Sequence, residues 1–129
     1  MAHYNNFQEL DIFILSRSIS KEIWSIINNT RLKTDFELRK QINRSSGSVM
    51  DNIAEGFGRG GNREFINFLG IAKGSCCETQ SQLMRCLDRE YISQDEFDKL
   101  YFKTQELIDQ IGKFITYLKK SEKKGYKFD

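Results

Sequence analysis

Residues 41–78 read QINRSSGSVMDNIAEGFGRGGNREFINFLGIAKGSCCE, two amphipathic halves interrupted once, at Gly60-Gly61-Asn62. Two successive glycines cost helix stability, and an asparagine placed after them can cap the next helix, so a turn is expected there. The upstream half belongs to a helix predicted from about residue 35 to 58, with Leu38, Ile42, Val49 and Ile53 on one face. Thr34 and Glu37 have the spacing of a capping box at its start. The downstream half opens a helix predicted over about 63–89, in which Phe65, Phe68, Leu69, Ala72, Cys76, Thr79, Leu83 and Leu87 recur at steps of three and four.

The same periodicity extends to both sides. A first helix is predicted over about 7–28, behind Asn6 and Glu9, with Ile12, Leu15, Ile19, Ile23, Ile26 and Ile27 as its stripe. A fourth is predicted over about 94–120, behind the capping pair Ser93 and Glu96, with Phe97, Leu100, Tyr101, Leu107, Ile108, Ile111, Phe114, Ile115 and Leu118 spaced like a coiled-coil seam. Proline is absent from all 129 residues, which suits long helices and few connections. Short connections force successive helices to lie antiparallel, so the expected fold is all-α, an up-down-up-down antiparallel four-helix bundle forming one domain over residues 1–129.

Composition narrows the function classes. Hydrophobic residues make up 39% and charged residues 29%, with ten Phe, five Tyr and one Trp, which is enough for a core and too rich for disorder. Twenty Lys and Arg against eighteen Asp and Glu leave +2, so charge alone selects no partner. Cys76, Cys77 and Cys86 are an odd set with two adjacent members, read as reduced, partly buried side chains rather than a disulfide framework. His3 is the only histidine and no CxxC occurs, so neither a zinc site nor a histidine-assisted nucleophile is expected. Gly56, Gly58 and Gly61 satisfy GxGxxG in form, but they close a helix instead of linking a strand to one. Glu55 and Glu78 are the carboxylates left for acid–base work, with nothing to mark a cleft around them. The reading is of a protein that is not an enzyme and holds no metal or cofactor. The opening MAHYNNFQELD has no basic segment followed by an apolar run, so a cytoplasmic protein without membrane attachment is expected.

The two middle helices carry more order than one buried face requires. Gln41, Arg44, Ser48, Asn52, Glu55 and Arg59 fall in a sector of about 80° beside the apolar stripe of the second helix. Glu64, Ile71, Ser75, Glu78 and Gln82 occupy about 60° of the third. A solvated surface with intrahelical pairs accounts for such stripes; so does a subunit interface or polar network built from Arg44, Ser48, Asn52, Glu55, Arg59, Glu64, Ser75 and Glu78. The small residues Ser45, Ser46, Gly47 and Ser48, with Gly70, Gly74 and Ser75, favour close packing against these helices. Candidate contacts to a polyanion are Arg39, Lys40, Arg63 and Lys73, joined by Lys119, Lys120, Lys123 and Lys124. The last four belong to a Lys-rich end, of which residues 121–129 are expected to be flexible.

Residues 41–78 closely resemble the signature of the bacterial four-helix bundle proteins encoded in 23S rRNA intervening sequences, which reads approximately QxxRAxxSxxxNIAEGxGR and then GSxxE. Arg44, Ser48, Asn52, Ile53, Ala54, Glu55, Gly56, Gly58, Arg59, Phe65, Gly74, Ser75 and Glu78 carry the match, and FQELDIFILSRSISKEIW resembles the family's first helix. The resemblance spans about residues 7–118, with Gly61 where the family places a Ser or Thr cap, so the cap is expected at Asn62. It implies an antiparallel four-helix bundle that assembles as a homopentameric ring and has no established activity. A related branch, the accessory variability determinants of diversity-generating retroelements, is strongly basic and binds a reverse transcriptase and nucleic acid; this chain is nearly neutral. The expected function is therefore a homo-oligomeric scaffold, pentameric by resemblance, whose partners are ribosomal RNA, another nucleic acid or a nucleic-acid-processing protein. The alternative is a protein–protein adaptor with no nucleic-acid affinity.

Overall fold

The computed structural model describes residues 4–123. Four helices follow in order, α1 Asp11–Asn29, α2 Phe36–Gly58, α3 Asn62–Asp88 and α4 Gln94–Lys123, with single 3-10 turns at Phe7–Glu9 and Arg31–Thr34. No strand occurs among the described residues. Each helix packs on its sequence neighbour and α4 closes on α1, with the α2–α3 interface the most extensive. This is the expected all-α up-down-up-down bundle. One end gathers the α1–α2 and α3–α4 connections, and the other holds the α2–α3 turn with the start of α1 and the end of α4.

The apolar stripes meet in a single core. Ile12, Ile19, Ile23 and Ile27 from α1 face Leu38, Ile42, Val49 and Ile53 from α2, and α3 and α4 contribute Phe65, Leu69, Leu83, Leu100, Leu107, Ile111 and Leu118. The isoleucine-rich α1 has modest intrinsic helix propensity, so this burial is what holds it. Charge also ties it to α4: Lys103 pairs with Glu22 and donates to Ser18 Oγ at 2.8 Å, while the exposed Lys99 stands 3.8 Å from the same carboxylate.

Three helix starts differ from the sequence reading. Residues 7–9 form a separate 3-10 turn, and Asn6 makes no side-chain cap. α1 begins only at Asp11, because Leu10 is extended and fully buried while its carbonyl accepts from the Phe13 and Ile14 amides. Burying that leucine outweighs one more helical turn. Thr34 ends the second 3-10 turn, and the α2 cap is Asp35, whose Oδ1 accepts from the Leu38 amide at 3.3 Å. Asn62 is not the cap of α3 either; Gly61 holds that position, and Asn62 is buried with its Nδ2 donating to the Leu118 carbonyl of α4 at 3.3 Å. The Ser93–Glu96 box closes as expected, the Ser93 amide donating to Glu96 Oε1 at 2.8 Å and the Glu96 amide to Ser93 Oγ at 3.1 Å. α4 continues to Lys123, past the expected 120, because Ser121 still faces the bundle and is buried. Residues 121–123 of the expected flexible tail are thus helical, and 124–129 lie outside the described residues.

Asp35 also ties the two connections together. Its Oδ2 accepts from Tyr91 Oη at 2.8 Å and from Arg89 Nη1 at 2.6 Å, both beyond the end of α3. There the chain leaves the helix through a Schellman turn, with the Tyr91 amide on the Cys86 carbonyl, the Glu90 amide on that of Leu87, and Glu90 at φ 59°. The Tyr91 hydroxyl, with the Leu38 amide and the Arg89 guanidinium, holds the Asp35 carboxyl below its ordinary 3.8, against a partial offset from burial. A carboxylate whose folded pKa is depressed stabilises the fold fully above its unfolded value and loses that contribution as pH falls through the folded one. Asp35→Ala is expected to cost about 1–2 kcal/mol at pH 7, the worth of a good cap. In urea melts the gap to the parent should shrink as pH falls below about 4, where the unfolded chain takes up a proton that the folded carboxylate resists. An equal gap at pH 7 and pH 3 would mean that Asp35 acts through shape alone.

Candidate functional site

The α2–α3 interface is a polar seam laid over the core. Near its upper end Arg85 Nη1 donates to Gln41 Oε1 at 2.7 Å. One turn on, the buried Ser45 hydroxyl donates to Gln82 Oε1 at 2.5 Å and stands 2.8 Å from Thr79 Oγ1, which itself donates to the Ser75 carbonyl. Ser48 and Ser75 then meet Oγ to Oγ at 3.0 Å, and Asn52 Nδ2 donates back to the Ser48 carbonyl and hydroxyl. Small side chains are what let two helices approach closely enough for such short bonds. Gly56 is the extreme case: a Cβ there would lie 2.6 Å from Phe68 Cβ and 2.9 Å from Phe65 Cδ1.

The residues singled out as a network therefore separate into two sets. Ser48, Asn52 and Ser75 join within the chain. Arg44, Glu55, Arg59, Glu64 and Glu78 project outward along the two rims of the seam. Glu55 and Arg59 pair at 2.7 Å with both side chains about half exposed, which is worth a few tenths of a kcal/mol. The Arg59 guanidinium also lies 5.0 Å above the Phe68 ring. Arg44, Glu64 and Glu78 have no ion-pair or hydrogen-bond partner among the described residues. Beside them the outer faces of α2 and α3 carry Ile71, 53% exposed, and three helical glycines, Gly47, Gly70 and Gly74, whose missing Cβ would meet nothing within 4 Å.

The candidate polyanion contacts do not form one patch. Arg39 and Lys40 lie in the first turns of α2, and Arg63, Lys119 and Lys120 at the opposite end of the bundle. Lys73 sits midway along the α3–α4 groove, over Ile108 and Gly112. Lys124 lies outside the described residues, as does the side chain of Lys123.

Of the two carboxylates left for acid–base work, Glu55 is held by Arg59, and Glu78 is exposed with no partner among the described residues. Burial pushes the Cys76 thiol up to about 12 and the Cys86 thiol up to about 11, so both stay protonated and unreactive near neutrality; Cys77 is exposed. Among the described residues no three His, Cys, Asp or Glu side chains cluster as metal ligands, and no helix is long and apolar enough to cross a membrane.

One surface escaped the sequence reading. Between α1 and the start of α2 an open groove of about 500 Å³ is lined by Trp24, Lys33, Phe36, Arg39 and Lys40. Trp24 is 57% and Phe36 69% exposed. The signal was present: at 100° per residue Trp24 falls on the side of the first helix away from its isoleucine stripe, where an aromatic ring has no core to enter.

An antiparallel four-helix bundle with a polar α2–α3 seam, an open glycine-bearing face and no assembled reactive cluster among its described residues defines a small helical packing module. The 23S rRNA-intervening sequence protein family matches residues 8–113, and the chain belongs to that family. Among solved structures it is similar to a protein of unknown function from the S23 ribosomal protein family of Bacteroides thetaiotaomicron. The TM-score is 0.73 at 25% identity, over 81% of this chain and 97% of that one. No curated protein matches.

Proposed function

We propose that the protein is a non-enzymatic, cytoplasmic homo-oligomeric scaffold, five-membered as the family resemblance implies, associated with RNA or with a nucleic-acid-processing protein. The observation that carries the assembly is the open face of α2 and α3. A glycine inside a helix costs about 1 kcal/mol relative to alanine, and neither Gly47, Gly70 nor Gly74 recovers that cost by close packing within the chain. A second copy approaching over Ile71 would recover it, and would give the unpaired Arg44, Glu64 and Glu78 their partners. Ring formation also concentrates charge: five subunits of +2 each sum to about +10, which favours salt-sensitive attachment to RNA.

Light-scattering mass after size exclusion tests the assembly, with Gly74→Leu as the variant. A mass near five protomers is expected for the parent, and a single protomer of unchanged helicity for Gly74→Leu. Within an isolated chain the same substitution fills open space and favours the helix by about 0.5–1 kcal/mol, so loss of mass with helicity retained is the signature of an interface. A monomeric parent, or an oligomer indifferent to Gly74→Leu, would sink this assignment. Repeating the run with a structured RNA at low and moderate salt tests the association, and failure to co-elute at either salt concentration would leave a protein adaptor.

A further inference from the structure

The α1–α2 groove combines features that the bundle itself does not need. Trp24 and Phe36 offer flat ring faces to solvent, although neither contributes to the core. The Arg39 guanidinium is held in place, donating from Nη1 to the Lys33 carbonyl at 3.0 Å and lying 4.9 Å from the Phe36 ring centre. Lys33 and Lys40 are exposed on either side without an acidic partner among the described residues, and no carboxylate lines the groove.

The same line continues down α1. Arg17, Lys21 and Trp24 recur at steps of four and three, so they share one exposed face. That face leads from the groove into a second one, of about 590 Å³, whose single carboxylate, Glu22, is engaged by Lys103. Arg17, Lys21, Lys33, Arg39 and Lys40 stand in the linings of the two grooves against one carboxylate, Glu22, so both grooves are lined with net positive charge.

We propose that this face is a single-stranded nucleic-acid groove, in which bases stack on Trp24 and Phe36 while Lys33, Arg39 and Lys40 hold the backbone phosphates and Arg17 and Lys21 extend the track. The proposal rests on the nucleic-acid half of the proposed function and gives it a place. Exposed aromatic faces between cations are the arrangement that binds single strands with little sequence preference, since every base has a π-face while the bases of a duplex are already stacked. Concave shape, with cations along the connecting turn and the α2 wall and none answered by a carboxylate in the lining, favours a polyanionic strand over a second copy, whose identical face would bring like charge to like.

Trp24 is the chain's single tryptophan, so its fluorescence reports on the groove directly. The full chain is titrated with a 12-nucleotide oligouridylate and with a duplex of equal length, at two salt concentrations. Saturable quenching by the single strand is expected, weaker for the duplex, with a log–log salt slope near −2 for about three phosphate contacts. With a dye-labelled oligonucleotide read by anisotropy, Trp24→Ala and Phe36→Ala should each weaken binding roughly 10- to 100-fold, and Trp24→Phe should restore most of it. Both rings are largely exposed, so circular dichroism of the variants should match the parent. Binding that neither quenches Trp24 nor responds to Trp24→Ala would place the strand elsewhere, on Arg63, Lys119 and Lys120 for example, overturning the groove but not the nucleic-acid reading. Absence of binding would overturn both. The groove assignment also fails if anionic phosphatidylserine vesicles shift the fluorescence while oligonucleotides do not, or if Trp24→Ala changes the oligomeric mass.

Discussion

Phe65→Ala is expected to be among the most damaging single substitutions in the chain, costing about 3–5 kcal/mol. Phe65 is fully buried where α2 turns into α3, edge-on to Phe57 with ring centres 6.0 Å apart and to Phe114 of α4 at 5.5 Å. It also rests against the backbone of Gly56, whose missing side chain lets the two helices close. Removing the ring empties a volume framed by three helices and by a backbone contact that cannot follow it inward, so transfer and cavity terms add. The check is the urea midpoint at one fixed protomer concentration, since assembly would otherwise shift apparent stability. An unchanged m-value with a much lower midpoint is expected. A loss below about 1 kcal/mol would mean that the bundle end collapses freely and that this aromatic cluster is not what pins it.

The second large effect lies in the seam. Ser45→Ala leaves the buried Gln82 Oε1 without its donor at 2.5 Å, and an unsatisfied buried acceptor costs about 1–3 kcal/mol. Gln82→Leu is expected to lose less, because the Ser45 hydroxyl keeps the Ile42 carbonyl at 3.3 Å and Thr79 Oγ1 at 2.8 Å within reach. The two changes together should cost less than their sum by at least about 1 kcal/mol, because removing both partners removes the unpaired group as well. Thr79 keeps its bond to the Ser75 carbonyl in every variant and loses only its contact with Ser45, a loss common to Ser45→Ala and the double variant. Strict additivity in the double-mutant cycle would show that Ser45 and Gln82 stabilise the seam independently.

These two sites also mark how far the sequence could be read. The order and direction of the four helices came from apolar spacing and from the glycine pair at Gly60-Gly61, because burial of one stripe per helix leaves few ways to arrange them. Helix starts were less legible. Asn6, Thr34 and Asn62 each have a side chain suited to capping, yet the N-cap positions of α1, α2 and α3 are Leu10, Asp35 and Gly61. A buried Leu10, a carboxylate answering Tyr91 and Arg89, and an asparagine needed by the Leu118 carbonyl decide those positions, and all three are contacts made across the fold.

The polar stripes show the same division. Their residues were identifiable by angle along each helix, but an angle within one helix does not say which neighbour it meets. Only packing separated Ser48 and Ser75, which bond across α2 and α3 with Asn52 donating to Ser48 along α2, from Arg44, Glu64 and Glu78, which face outward. Thr79 reads as part of an apolar stripe and proves to be a hydroxyl partner of Ser45. Trp24 and Phe36 lie twelve residues apart on different helices, and their shared groove exists because the short 3-10 turn folds α2 back against α1. Helix content, helix order and the apolar face of each element are properties of local spacing, and the amino-acid sequence determined them by itself. Which polar side chains are consumed inside the bundle and which remain for partners depends on the distance between elements, and only the tertiary structure decided that.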